Sequence, residues 1–178
     1  MIFDFDRFAT RSAAREMAPR RLEDRQRDAY ESHRHRVFSV SYYMTGSEIE
    51  AEDLLRETFI SAFQECEEPD QTIVDTALIE QLSVRVPLNE AEAQPIPVST
   101  GAMGRRNVLR ADLEQAIRCL PPSERLVFLL MDVEGYPVPQ IAALLAIREP
   151  DVTRRAVMAR MRLRHELALM HEDGQQAA

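Results

Sequence analysis

The apolar residues Val152, Ala156, Ala159, Leu163, Leu167 and Met170 recur at steps of 4, 3, 4, 4 and 3. At about 100° per residue, such spacing brings every one of them onto one side of an α-helix. The same cadence runs through Tyr30, His33, Val37, Val40 and Met44, and again through Ala51, Leu54, Leu55, Thr58, Phe59, Ala62 and Phe63. It returns in Leu109, Leu113, Ile117 and Leu120. A chain patterned in this way buries apolar surface as packed helices. Glycine, at 5 residues, is too scarce for many tight β-hairpins. The expectation is an all-α fold.

Breaks in the cadence divide the chain into two small helical domains joined by a flexible linker. Residues 1–23, which contain Pro19, have little periodicity and read as an N-terminal tail. Residues 24–85 hold three helices. Thr45-Gly46 stops the first, and Ser47 with Glu50 forms a capping box that starts the second. The second ends near Cys66 at the acidic break ECEEPD, and the third runs from Thr72 to Arg85. Residues 86–104, VPLNEAEAQPIPVSTGAMG, carry three prolines and almost no period, as a linker does. Residues 105–172 form the second domain. One helix there ends at Pro121-Pro122-Ser123, and the next, ERLVFLLMDV, ends at Gly135. A short helix from Pro139 to Leu145 follows, then a connection from Ala146 to Glu149, then the long last helix. Pro150 sits where a first turn accepts proline. Residues 173–178 read as a tail.

Charge is distributed unevenly. The chain carries formal net charge −8, yet Arg148, Arg154, Arg155, Arg160, Arg162 and Arg164 face only Glu149 and Asp151 between Arg148 and Arg164, a local net of +4. From Glu48 to Glu92 there are 13 acids against Arg56 and Arg85, a local net of −11. Asymmetry of this size assigns different partners to the two halves. All 22 basic residues are arginine. A guanidinium grips phosphate at two points, although GC-rich coding explains an all-arginine choice equally well.

On the last helix Arg154 falls nearly opposite the apolar stripe, with Arg155 and Arg162 on one flank and Arg160 and Arg164 on the other. A short helix, a tight connection and a longer helix with basic flanks is the plan of a helix-turn-helix, whose second helix enters the major groove. A plain helical hairpin with a charged outer face satisfies the same periodicity. Val157, Met158 and Met161 lie off the stripe and suit either a protein contact or packing against the linker.

Other chemistry finds no support. Cys66 and Cys119 are too few for a disulfide framework or a zinc site and read as free thiols. His33 and His35 point in different directions on a helix, and His165 and His171 lack the HExxH spacing, so neither a metal nor any other cofactor is expected. There is no glycine-rich phosphate loop and no nucleophile with a plausible base, so the chain is not expected to be an enzyme. The start MIFDFDRF has neither a basic n-region nor an apolar h-region, and no long apolar run occurs, so a cytoplasmic location is expected.

Two stretches resemble one known family. DAYESHRHRVFSVSYYMTGSEIEAEDLLRETFISAFQ, from Asp28 to Gln64 with its core AEDLLRETF, is similar to domain two of bacterial extracytoplasmic-function sigma factors. LPPSERLVFLLMDVEGYPVPQIAALLAI, from Leu120 to Ile147, is similar to domain four of the same family, and the two occur in the family's order. The resemblance implies a transcription initiation factor whose partners are core RNA polymerase and promoter DNA, with an anti-sigma factor as a further one. Domain two would clamp the β′ coiled-coil and open the downstream promoter element. Domain four would bind the β flap and read the minus-thirty-five element. Carried over by position, Asp53, Leu54, Arg56, Glu57 and Phe59 would lie in the polymerase-binding helix. Thr153, Arg154, Arg155 and Met158 would lie at the groove-facing start of the recognition helix, with Arg148 on the approach and Arg162 further along. Such arginines bind phosphates for affinity or a guanine edge for specificity.

The stretch matching the family's third helix, DQTIVDTALIEQLSVRVPLNE, departs from what capturing single-stranded DNA requires. That task needs stacking aromatics and a positive groove, and here there is no aromatic residue and one arginine. The expectation is a divergent strand-opening region. The competing reading is a degenerate sigma-like adaptor that binds polymerase or an anti-sigma factor without opening DNA.

Overall fold

A computed structural model describes residues 22–88 and 110–176, with side chains as far as Met170. Among the described residues the fold is all-helical. Helix α1 (Leu22–Thr45) ends at Gly46, whose φ of +75° closes the last turn through an amide that donates to the Tyr42 carbonyl at 2.7 Å. A residue with a Cβ takes that left-handed conformation only at a cost. Helix α2 (Glu48–Glu65) starts where Ser47 Oγ accepts from the Glu50 amide at 3.3 Å. The expected capping box is half made, because the Ser47 amide donates to Thr45 Oγ1 instead. Helix α3 (Gln71–Arg85) is capped by Asp70, which accepts from the Ile73 amide at 3.0 Å.

In the second half α4 spans Arg110–Arg118 and α5 spans Pro122–Phe128. A π-helical turn at Leu129–Val133 prolongs α5, with the Glu134 amide donating to the Leu129 carbonyl. Helix α6 (Val138–Leu144) and the long α7 (Glu149–Gln176) complete the fold. The tail expected from residue 173 is helical to Gln176. The linker expected at 86–104 and the start of the helix expected from Arg105 lie largely outside the described residues. On α4 the sequence places Leu113 inward, but it is 38% exposed, and Ala116 and Ile117 take the inner face. No helix among the described residues is long and apolar enough to cross a membrane.

Helix α2 packs against both α1 and α3, while α7 collects α4, α5 and α6. The two halves are not held apart. Helix α1 touches α4 and α5, α3 touches α6, and one apolar cluster runs through both. Val37, Leu54, Leu78 and Leu82 belong to it from the first half, and Leu126, Leu129, Ile141 and Val152 from the second. Polar clasps close the seam at each end. The Arg125 guanidinium donates to the carbonyls of Tyr43 and Met44, at the end of α1, and to those of Arg118 and Leu120. At the other end Asp75 accepts from Arg36 at 2.7 Å and from the Tyr136 hydroxyl at 2.5 Å.

Removing buried methylenes from this cluster leaves a cavity, so Leu82→Ala should lower the unfolding free energy by about 2–5 kcal/mol in chemical denaturation. Val84→Ala, two positions away on the solvent side, should stay within about 0.5 kcal/mol of wild type.

Candidate functional site

The second half contains the helix-turn-helix. Helix α6 closes with the Leu145 amide donating to the Ile141 carbonyl, and the chain turns at Ala146, whose φ is +52°. A Cβ in this left-handed region is crowded against the backbone. The Ile147 amide then reaches back to the Ala142 carbonyl, and α7 begins as the Asp151 and Val152 amides donate to the Arg148 carbonyl. Val152, Ala156, Ala159 and Leu167 are buried, as the period requires, so the opposite side of the helix start faces water.

The six arginines take different roles. Arg148, with its side chain 81% exposed, grips Asp151 at 2.8 and 3.2 Å. That contact holds the Asp151 carboxyl below the usual carboxylate range. Arg154 points outward on the next turn, 4.0 Å from the same carboxylate. Thr153 is exposed beside it, its hydroxyl donating to the Glu149 carbonyl. Met158 and Arg155 are half-buried. Arg155 turns toward the first half, where it lines a cleft of about 430 Å³ with Ile79, Ser83 and Ala146. Arg160 binds Asp132 and ties α7 to the π-helical turn. Arg164 is exposed.

Arg162, grouped by charge pattern with the DNA-facing cations, is placed otherwise. It lies 3.0 Å from Glu124, with side chains 15% and 7% exposed. Burial pushes the Glu124 carboxyl up, against the pull of Arg162. A charge buried this far needs its partner, so Arg162 secures α7 to α5 and turns away from the outer face.

The candidate polymerase-binding residues also divide. Leu54 and Phe59 are 0% and 4% exposed and anchor α2 in the core, and of the two only Phe59 reaches the surface groove. Asp53 and Arg56 pair at 2.8 Å on the exposed side, and Glu57 accepts from Arg85 of α3. The surface beside them is apolar: Tyr30, Leu55, Phe59, Ile60 and Phe63 line a groove of about 470 Å³ rimmed by Glu52 and Arg56. Ile60 is 51% exposed. Sequence reasoning did not single out Leu55 and Ile60, which line this groove. The signal was there, since the apolar stripe of α2 is broader than packing against two helices needs. Val157 and Met161 on α7 are likewise exposed.

Ala146→Gly should raise stability by about 0.5–1 kcal/mol, because relief of the left-handed Cβ outweighs the added freedom of the unfolded chain. Arg162→Ala should cost about 3 kcal/mol by stranding Glu124. Arg154→Ala should change stability by less than about 0.5 kcal/mol. Thermal and urea unfolding of the three variants measure this contrast.

Residues 29–75 match the family model described as Sigma-70 region 2, and residues 110–163 match Sigma-70, region 4. A curated relative, the ECF RNA polymerase sigma factor SigE of Mycolicibacterium smegmatis (strain ATCC 700084 / mc(2)155), is 29% identical over 161 residues. That alignment covers 82% of this chain and 63% of the relative, so the chain spans less than two thirds of the relative's length. Among solved structures the chain is similar to the sigma factor RpoE in complex with the anti-sigma factor NepR from Bartonella quintana. The TM-score is 0.54 at 18% identity, covering 79% of this chain and 92% of that one, which shows the shared fold. Two region models matched in order over more than half of the chain, together with this relative, place it: the chain belongs to the extracytoplasmic-function sigma factors of the sigma-70 family.

Proposed function

We propose that this chain is a transcription initiation factor that binds core RNA polymerase and reads promoter DNA. Residues 24–85 would carry the polymerase contact, through the outer side of α2 where Asp53, Arg56 and Glu57 border the apolar groove. Residues 105–172 would carry the DNA contact. One observation supports this above the rest: with its aliphatic stripe packed inward, α7 presents Arg148, Thr153 and Arg154 together at its exposed start. These are the positions from which a recognition helix meets base edges and flanking phosphates. The Arg148–Asp151 contact is solvated and therefore easily exchanged for a phosphate. Arg155 and Met158 flank the same surface. A role on polymerase would place the chain in the cytoplasm, with no chemistry of its own. An anti-sigma factor is a further partner on this reading, as the related RpoE structure is a complex with one.

The test uses the full chain bound to core polymerase and measures retention on duplex DNA above that of core enzyme alone. Binding should fall steeply with salt. Arg154→Ala should weaken it and reduce the slope of log affinity against log salt by about 1. Polymerase binding without any gain in duplex retention would overturn promoter reading and favour the adaptor.

A further inference from the structure

The apolar groove between α1 and α2 is open along one side. Every side chain that lines it comes from those two helices, and Leu55, Ile60 and Phe63 keep part of their surface in water. Tyr30, Phe59 and Phe63 stand in a row along it, with ring centroids 4.8 and 5.8 Å apart. A hollow of this kind accepts an aromatic side chain far more readily than a charged one. The antiparallel run of the two helices fixes where the groove ends. An ion pair between Arg25 and Glu68 sets the first turn of α1 beside the end of α2. The segment ahead of Leu22 therefore joins α1 at one end of the groove. Tyr30 lies eight residues further on, about 12 Å along the helix axis.

The composition of that segment matches what it would meet. Residues 1–8, MIFDFDRF, hold three of the chain's seven phenylalanines together with Met1 and Ile2. Residues 9–21 carry Arg11, Arg15, Arg20 and Arg21 against Glu16, a net of +3. From Glu48 to Glu68 there are eight acids against Arg56, a net of −7. Glu65 and Glu67, at the end of the groove nearest the start of α1, are exposed. The thirteen residues from 9 to 21 reach up to about 45 Å, several times the return that docking needs.

We propose that residues 1–8 dock in this groove in the free chain. Their phenylalanines pack against Tyr30, Leu55 and Ile60, and the arginines after them run along the acidic end of α2. A ligand tethered this closely is present at an effective concentration on the order of millimolar, so a weak contact is enough to fill the groove. One consequence rests on the function proposed above. The same outer side of α2 carries the polymerase contact, so polymerase must displace the segment, and its apparent affinity is reduced by the fraction of chains in which the groove is filled.

The chain has no tryptophan, so Phe5→Trp gives the full-length protein a single indole. In the free chain its emission should be that of an indole shielded from water, the same at every protein concentration. Ile60→Asp, at a position 51% exposed, should return it to the solvent-exposed value, with helix content by circular dichroism as the folding control. Independently of any change in the groove, Phe3→Ser with Phe8→Ser should tighten binding to core polymerase about tenfold. An exposed indole in the free chain would overturn the docking, as would a shielded one that Ile60→Asp leaves unmoved in a folded protein. Shielding that grows with protein concentration would assign the groove to a second copy of the chain instead. Unchanged polymerase affinity in the doubly substituted chain would sink the competition. If neither chain binds polymerase while the indole still responds to Ile60→Asp, the assigned function fails and the docking stands.

Discussion

A carboxylate with 3% exposure holds the two halves of this molecule in register. Burial alone pushes the Asp75 carboxyl up, and the hydrogen bond from Tyr136 and the charge of Arg36 act against that. The cost of removing the charge from water is offset only while both donors are in place. Tyr136 responds to the same environment, its phenol held far above the usual range by burial and by the acid it donates to. His33, nearby on α1, is pushed down by burial and by Arg36. Asp75 draws one donor from each half. Arg36 and Asp75 come from α1 and α3, and Tyr136 follows the π-helical turn that ends at Gly135. Shifting either half by a residue would leave a buried acid with too few partners, so the network specifies one arrangement where apolar packing would tolerate several.

The same principle sorts the arginines of α7. A guanidinium cannot be left buried without an acid, and an exposed one gains little from having one. Arg162 and Glu124 therefore act as a structural pair, and Arg160 with Asp132 fastens the helix to the π-helical turn. Arg148 and Arg154 share a solvated carboxylate at the helix start and point outward. A stretch that reads as one basic block is thus divided by depth into cations that hold the fold and cations that face outward.

Much of the local structure was legible in the residues. Gly46 and Gly135 stop their helices, Ser47 starts α2, and the 3–4 spacing of Val152, Ala156, Ala159 and Leu167 does mark a buried face. Legibility failed where depth mattered. Leu54 and Phe59 belong to the core of the domain-two-like stretch, yet both are buried, and the apolar groove that Phe59 reaches is opened to solvent by Leu55 and Ile60. A motif states which residues recur together; it does not state which of them touch the neighbouring helix. Leu113 shows the same limit on α4, where a small residue, Ala116, suits the close approach of the neighbouring helices better.

By itself the sequence determined the all-helical fold, most helix boundaries, the helix-turn-helix plan and the membership of a sigma factor family, because periodicity, caps and motif residues act over a few positions. Only the tertiary structure decided that the halves dock, that Arg162 turns inward and that α3 touches α6. Those outcomes depend on pairs such as Asp75 with Tyr136 and Met44 with Arg125, which lie 61 and 81 residues apart. The energy of such a contact comes from desolvation and partner geometry at one place in space, and no local pattern encodes it.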